Sequence, residues 1–253
     1  MENVFFHIRT RDLVAFALIL LMLGMSASFG IASQDERKST SLEDETPLLL
    51  THSTITDIGF SADSIYTNTT IAAGTYNGCA ILENQSMVCW GDNEYGQLGD
   101  GTTTGSAVPI YVNVAANETP VEVTVGQVTA CALMESGNIY CWGSGYYGKM
   151  GNGEPWNDDY VNTEMRQVLL PEGQGGQTVS ISGGHICTIL DNGDVYCWGR
   201  GNQGQLGYGG TSNRNIPAKV NLPGQRSAIA ISTGTFMTCA ITTHGMGYCW
   251  GEN

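Results

Sequence analysis

CAILENQSMVCWGDNEYGQLGDG, residues Cys79 to Gly101, is written three more times in this chain of 253 residues. Cys131 opens CALMESGNIYCWGSGYYGKMGNG, Cys187 opens CTILDNGDVYCWGRGNQGQLGYG, and Cys239 opens CAITTHGMGYCWGEN, which runs to Asn253. The first cysteines are spaced by 52, 56 and 52 residues, and in every unit the second cysteine follows the first by ten. A period of this length marks a repeat architecture, in which each unit buries its apolar surface only against its neighbours.

The centre of the unit reads Glu135-Ser136-Gly137, Asp191-Asn192-Gly193 or Thr243-His244-Gly245. A three-residue hairpin loop is a type I turn followed by a left-handed residue, most often glycine. With the glycine in third place, residue 134 pairs with 138, and counting outward sets Cys131 directly opposite Cys141. Alternation makes this a non-hydrogen-bonded pair, whose Cα atoms lie close enough for a bridge. The expected disulfides are therefore Cys79–Cys89, Cys131–Cys141, Cys187–Cys197 and Cys239–Cys249. The first unit has Glu83-Asn84-Gln85 in the turn, and a left-handed Gln85 is strained. Zinc is the rival reading, but zinc clusters space their cysteines two to four residues apart, not ten. No metal or cofactor is expected.

The same register sorts the side chains. One face of each hairpin carries the cysteines with Ile81 and Met87, Leu133 and Ile139, or Ile189 and Val195. The other carries Ala80, Leu82, Val88 and Trp90, then Ala132, Met134, Tyr140 and Trp142, then Leu190, Tyr196 and Trp198. A small antiparallel sheet that is apolar on both faces must be sandwiched between neighbours. A ring of blades, or a superhelix, satisfies that demand with few open edges. A further strand precedes each hairpin: Ile71–Ala73, Val121–Val125, Val179–Ser182 and Ile229–Ser232. After each Trp-Gly, a loop ends in Gly-Gln-Leu-Gly, or Gly-Lys-Met-Gly in the second unit, with Leu98, Met150 and Leu206 as plugs between glycine turns. Polar connections bearing proline follow at Thr102–Pro109, Glu154–Leu170 and Tyr208–Pro217, and are expected on a rim.

The pattern V-x-I-x-x-G…C-A-L-x-x-x-G-x-V-Y-C-W-G-x-N-x-x-G-Q-L-G-x-G, repeated four times over about residues 67–253, resembles the repeat of the RCC1-like β-propeller family. The resemblance implies an all-β fold of four-stranded blades, with four repeats of the family's usual seven-bladed ring. The paired cysteines suit an exported member. The fourth unit halts at Trp250-Gly251-Glu252-Asn253, in mid-motif, so the expectation is a piece of a longer propeller that exposes an apolar blade edge.

Two arginines, Arg9 and Arg11, precede the unbroken apolar run Leu13–Met25, and small residues lead to Gly30-Ile31-Ala32 before Ser33. This matches a secretory signal peptide over 1–32. Leu13–Ala32 is also long enough to span a bilayer, so a retained signal anchor stays open. Either way the repeats lie outside the cytoplasm, secreted or at the cell surface, where disulfides persist. Residues 33–54 read as a polar linker, and the repeat region is taken as 55–253, with Ile55–Tyr66 contributing a first strand. Net charge is −14. Removing Arg9, Arg11, Glu2 and Asp12 with the leader changes nothing in the balance, so the acidity belongs to the body. An acidic body repels phosphate backbones, which disfavours nucleic acid as a partner.

Enzymes need a convergent acid, base or nucleophile. The four histidines, His7, His52, His185 and His244, never recur together, and His185 sits where RCC1-like repeats carry a structural histidine. The expected function is non-catalytic: an extracellular or surface β-propeller that binds a protein or glycan through its variable loops. Within Glu154–Arg166, Trp156 is the one tryptophan outside the Trp-Gly motif, and with Tyr160 it forms a candidate partner-binding anchor. The membrane enters only through the N-terminal anchor. The resemblance also implies two alternatives, a guanine-nucleotide exchange factor of RCC1 type and a secreted enzyme inhibitor. Sequons at Asn68, Asn84 and Asn117 are candidate glycosylation sites.

Overall fold

Glycine decides the hairpin turns. Gly137, Gly193 and Gly245 have φ of 84°, 81° and 74°, the left-handed conformation that the third place of the turn requires. Met134 accepts from the Gly137 amide and donates to the Asn138 carbonyl, both at 2.9 Å, which fixes the register. Gln85 adopts φ 65° in the same place without the freedom of glycine, and Asn84 Oδ1 accepts from the Ser86 amide at 3.0 Å to support the turn.

The computed structural model describes residues 70–155, 161–224 and 226–252, which belong to one compact unit, His52–Asn253. The leader over 1–32, the linker over 33–54, the strand expected at Ile55–Tyr66, the sequon Asn68 and the pair Trp156 and Tyr160 all lie outside the described residues.

Four antiparallel meanders follow one another. The first is β1 (Ile71–Ala73), β2 (Asn77–Ile81), β3 (Met87–Gly91) and β4 (Ser106–Tyr111); the second is β5 (Pro120–Val125), β6 (Thr129–Met134), β7 (Ile139–Ser144) and β8 (Val161–Gln167). The third is β9 (Gly176–Ile181), β10 (His185–Leu190), β11 (Val195–Gly199) and β12 (Arg214–Lys219). The fourth has β13 (Ala228–Thr233), β14 (Met237–Thr242) and β15 (Gly247–Gly251). In all four hairpins the cysteines are directly opposite and bridged, with Cα atoms 4.1 Å apart.

The proline-bearing connections differ from expectation. Their second halves are not loop but the outer strands β4, β8 and β12. Pro109 and Pro217 fall where the ladder shifts register, at a sheet edge where a missing amide leaves no inner partner unpaired. Periodicity gave no sign of these strands because only one edge of each is paired.

The cores lie between sheets. Each sheet's cysteine face, with the plug that follows it, meets the tryptophan face of the next. Cys79, Ile81, Met87, Cys89 and Leu98 pack with Ala130, Ala132, Met134 and Trp142. Cys131, Leu133, Ile139, Cys141 and Met150 pack with Ile186 and Trp198, and the third interface repeats the scheme with Leu206 and Trp250. The innermost strands β1, β5, β9 and β13 stand side by side. A Cβ on Gly74 would fall 2.0 Å from the Gly126 carbonyl oxygen, so these strands converge at that end as only glycine permits. Polar ties join them: Thr178 donates to Glu122 at 3.1 Å, and the Thr233 amide donates to Ser180 Oγ at 3.1 Å. The fourth sheet leaves its cysteine face open, with Met237 and Ile241 exposed.

Candidate partner-binding site

At the end opposite the hairpin turns, the loop after each third strand reaches across to the next sheet. Trp142 Nε1 donates to the Gln97 carbonyl, Trp198 Nε1 to the Lys149 carbonyl and Trp250 Nε1 to the Gln205 carbonyl, each at 2.9 Å. The turn that presents each carbonyl must be tight enough to let the indole beneath it. Gly151 has φ 66°, and a Cβ there would sit 2.8 Å from Trp198 Nε1. In the second, third and fourth repeats one tryptophan thus clamps the loop of the repeat before it.

A second clamp joins the third and fourth sheets. The Thr238 hydroxyl donates to the Gln205 carbonyl at 2.9 Å, so its lone pair takes the proton of His185 Nε2, 2.7 Å away. This assigns the tautomer with Nδ1 bare, and Nδ1 is buried with no hydrogen-bond partner. A proton added there would place a charge in the core, and burial lowers the His185 pKa to about 4. His185 is therefore a structural strut. The unfolded chain takes up the proton at the ordinary pKa near 6.5, before the folded one does. Stability is accordingly full above that pH and is lost as pH falls from about 6.5 to 4, by about 3 kcal/mol at the lower limit. Urea midpoints at pH 7 and 4.5 should differ more for the native chain than for His185→Thr, the residue at this place in the second repeat; equal differences would refute the strut's titration. Asn77 is the counterpart in the first sheet; Ala130 stands at the place of the threonine in the sheet that follows, and both polar side-chain atoms of Asn77 are buried without a partner.

The loops and the turns between first and second strands enclose an open cavity of about 580 Å³. Tyr95 enters from the first loop, Ser144, Tyr146, Tyr147 and Lys149 from the second and Arg200 from the third; Gln127, Gly184 and Phe236 come from the turns. The three loops differ where it matters. Gln97 Oε1 accepts from the Tyr95 amide at 2.9 Å and Gln205 Oε1 from the Gln203 amide at 2.8 Å, folding those loops on themselves. Gln97 also donates to Asp92 at 2.9 Å. In the second loop Lys149 replaces the glutamine and Ser144 the aspartate. The loop turns instead through a single 3-10 turn, Tyr146–Gly148, with Tyr147 left-handed at φ 67°. Lys149 is 3% exposed, its stem beside Gly199, and burial lowers its pKa to about 8. Arg200 lies over the rings of Tyr147 and Phe236, 5.1 and 4.9 Å from their centroids, and donates from Nε to Asn202 at 2.8 Å. No carboxylate lines the cavity among the described residues.

The sequence matches two family models described as "Regulator of chromosome condensation (RCC1) repeat", one over residues 88–133 and 192–241, the other over 69–97, 121–149 and 177–205. Together they reach across more than half of the chain. The chain belongs to the RCC1 repeat family. Among curated relatives, this RCC1-repeat chain is 30% identical over 182 residues to the ultraviolet-B receptor UVR8 of Arabidopsis thaliana, covering 72% of the chain and 40% of the receptor. It is 26% identical over 186 residues to the human E3 ubiquitin-protein ligase HERC2, covering 72% of the chain and 4% of the ligase. Among solved structures it superposes on Prp20p of Saccharomyces cerevisiae with a TM-score of 0.63 at 19% identity, covering 72% of the chain and 44% of Prp20p. The chain thus spans less than half the length of each of these proteins, and their β-propeller fold is the one it shares.

In the RCC1-repeat framework the eight cysteines occupy their expected places. Asn84 and Asn117 are both exposed; Asn84 is in a hairpin turn, and Asn117 is followed by Glu118, which bonds Ser136 of the next turn at 2.7 Å. Both sequons therefore lie at the end away from the cavity. Trp156 and Tyr160 fall in the undescribed 156–160, but Val161 pairs with Ser144 of the cavity wall. Sequence reasoning passed over Lys149, Arg200 and Phe236. The signal for Lys149 was present, as the one Gly-Lys-Met-Gly among Gly-Gln-Leu-Gly motifs. Arg200 and Phe236 are brought to the cavity by different repeats, which no spacing within one repeat reveals.

Proposed function

We propose that the chain is a non-catalytic binding scaffold, exported from the cytoplasm, that engages a protein partner through the loops around the cavity. The observation that carries this reading is convergence: three clamped loops and the turns of the neighbouring sheets direct aromatic and cationic side chains to one open cavity. A rigid framework with divergent loops at one end is the usual arrangement of a recognition surface, and half-buried tyrosine, arginine and phenylalanine, as here, are favoured anchors. Prp20p, of like fold, has been solved bound to Kap60 and described for its binding to Gsp1p and histones, which supports protein over glycan as the class of partner. Four disulfides and two exposed sequons at the far end support export.

The test is a binding screen of the chain against a library of displayed extracellular proteins, repeated with Tyr95→Ala, Arg200→Ala and Phe236→Ala combined. Specific binders should lose the combined variant and retain one altered at Asn84 in the far hairpin turn. Binders that ignore the cavity variant would remove the reading. In a nucleotide-loading assay with a small GTPase no acceleration is expected, and acceleration would favour the exchange-factor reading.

A further inference from the structure

The second loop buries a cation and lacks the carboxylate that the first loop supplies at the same place. In the first loop the side chain at this position is a neutral glutamine, matched by Asp92 at 2.9 Å. In the second, the aspartate has become Ser144 and the glutamine Lys149, so the charge is gained where the carboxylate is lost. Lys149 is 3% exposed and lines the cavity with Arg200. Neither makes an ion pair among the described residues. A buried cation without a counter-charge is unfavourable unless something supplies one, and among the described residues no carboxylate lines the cavity.

We propose that the cavity is a receptor for a carboxylate side chain of an acidic peptide segment, with Lys149 and Arg200 as the charge pair and Tyr95, Tyr147 and Phe236 as an aromatic collar around its stem. The proposal deepens the binding reading above by naming the chemistry the cavity accepts. A peptide carboxylate fits better than inorganic phosphate. Phosphate sites gather several backbone amides or flat guanidinium forks, whereas here the Arg200 guanidinium lies over two rings and the one ammonium belongs to a buried side chain. The cavity also has room for more than a bare ion, about 580 Å³. The acidic body does not prevent entry. At physiological ionic strength its charges are screened beyond about 8 Å, while the two cations act at contact distance.

Binding should also depend on pH in a particular direction. Burial holds Lys149 to a pKa of about 8, and a carboxylate beside it restores the charged form, so affinity is full at pH 6.5 and falls as pH rises through 8 to 9. Among the described residues, the other titratable groups facing the cavity are Tyr95 from the first loop, Tyr146 and Tyr147 from the second and Arg200 from the third; the fourth sheet contributes none.

The experiment is calorimetric titration of the purified chain with acetyl-Phe-Glu-Phe-amide, acetyl-Phe-Gln-Phe-amide and inorganic phosphate at pH 6.5 and 9. The glutamate peptide should bind roughly tenfold to a hundredfold more tightly than the glutamine peptide, and pH 9 or Lys149→Gln should shrink the difference by up to about tenfold, leaving the share due to Arg200. Glutamine is native at this place in two sister loops, so the variant is expected to fold; if it does not, the pH dependence of the native chain decides alone. Equal binding of the two peptides, binding unchanged at pH 9, or phosphate displacing the glutamate peptide at equal concentration would each overturn the proposal. These outcomes are separate from failure of the scaffold reading, which the partner screen tests with a different ligand.

Discussion

Reduction of the four disulfides is expected to unfold the repeats. Each bridge closes a loop of ten residues, for which loop-closure entropy amounts to about 2.7 kcal/mol, or about 10 kcal/mol for the four taken as independent. Domains of this size are stable by about 5–15 kcal/mol in total, so losing all four removes most of the margin. The cystines are also core: Cys79, Cys89, Cys131, Cys141, Cys187 and Cys197 are fully buried, and reduction replaces each bridge with two thiols that need more room. Urea titrations followed by circular dichroism, with and without dithiothreitol, should show the folded baseline vanish in reductant. A midpoint that reductant leaves unmoved would refute the argument, and peptide mapping of the oxidised protein should find only pairs ten residues apart. One bridge removed alone, as Cys131→Ala with Cys141→Ala, is expected to cost about 3 kcal/mol and leave the other interfaces intact, because stability in such stacks is set between nearest neighbours.

The fold was legible because it is written in short range. Turn, register, cysteine pairing and the alternation of the two apolar faces all follow from the eleven residues between and including each cysteine pair, and the structure keeps each of them. The outer strands were not legible, since an edge strand pairs on one side only and its composition is that of a loop with proline. The cavity was less legible still. Its walls come from four repeats, so Tyr95, Lys149, Arg200 and Phe236 are distant in sequence and meet only after stacking. What a single repeat shows is the departure from pattern, glutamine to lysine at 149 and aspartate to serine at 144, and such a departure acquires meaning only when its neighbours are in place. The sequence pointed to Trp156, which lies outside the described residues; among those that are described, the aromatics lining the cavity are Tyr95, Tyr146, Tyr147 and Phe236.

Trp198→Ala is expected to be the most damaging single substitution, costing about 3–5 kcal/mol. The indole is fully buried, fills the space between the second and third sheets with Cys131, Ile139 and Met150, and satisfies the Lys149 carbonyl. Alanine leaves both a void and a buried acceptor without a donor. Trp198→Phe separates the two effects, since it keeps most of the packing and loses the N–H, at a cost of about 1–2 kcal/mol. Trp90→Ala is the internal comparison: half-buried, and clamping no loop among the described residues, it should cost well under half as much. Because the interface is local, hydrogen exchange should rise in β10 and β11 of Trp198→Ala while β2 and β3 keep their protection. The substitution also frees the turn that carries Lys149, so carboxylate binding at the cavity should weaken even at denaturant concentrations where the chain remains folded. If Trp198→Ala and Trp90→Ala shift the unfolding midpoint equally, the indole is not the clamp between repeats, and the cavity's loops must be held by something else.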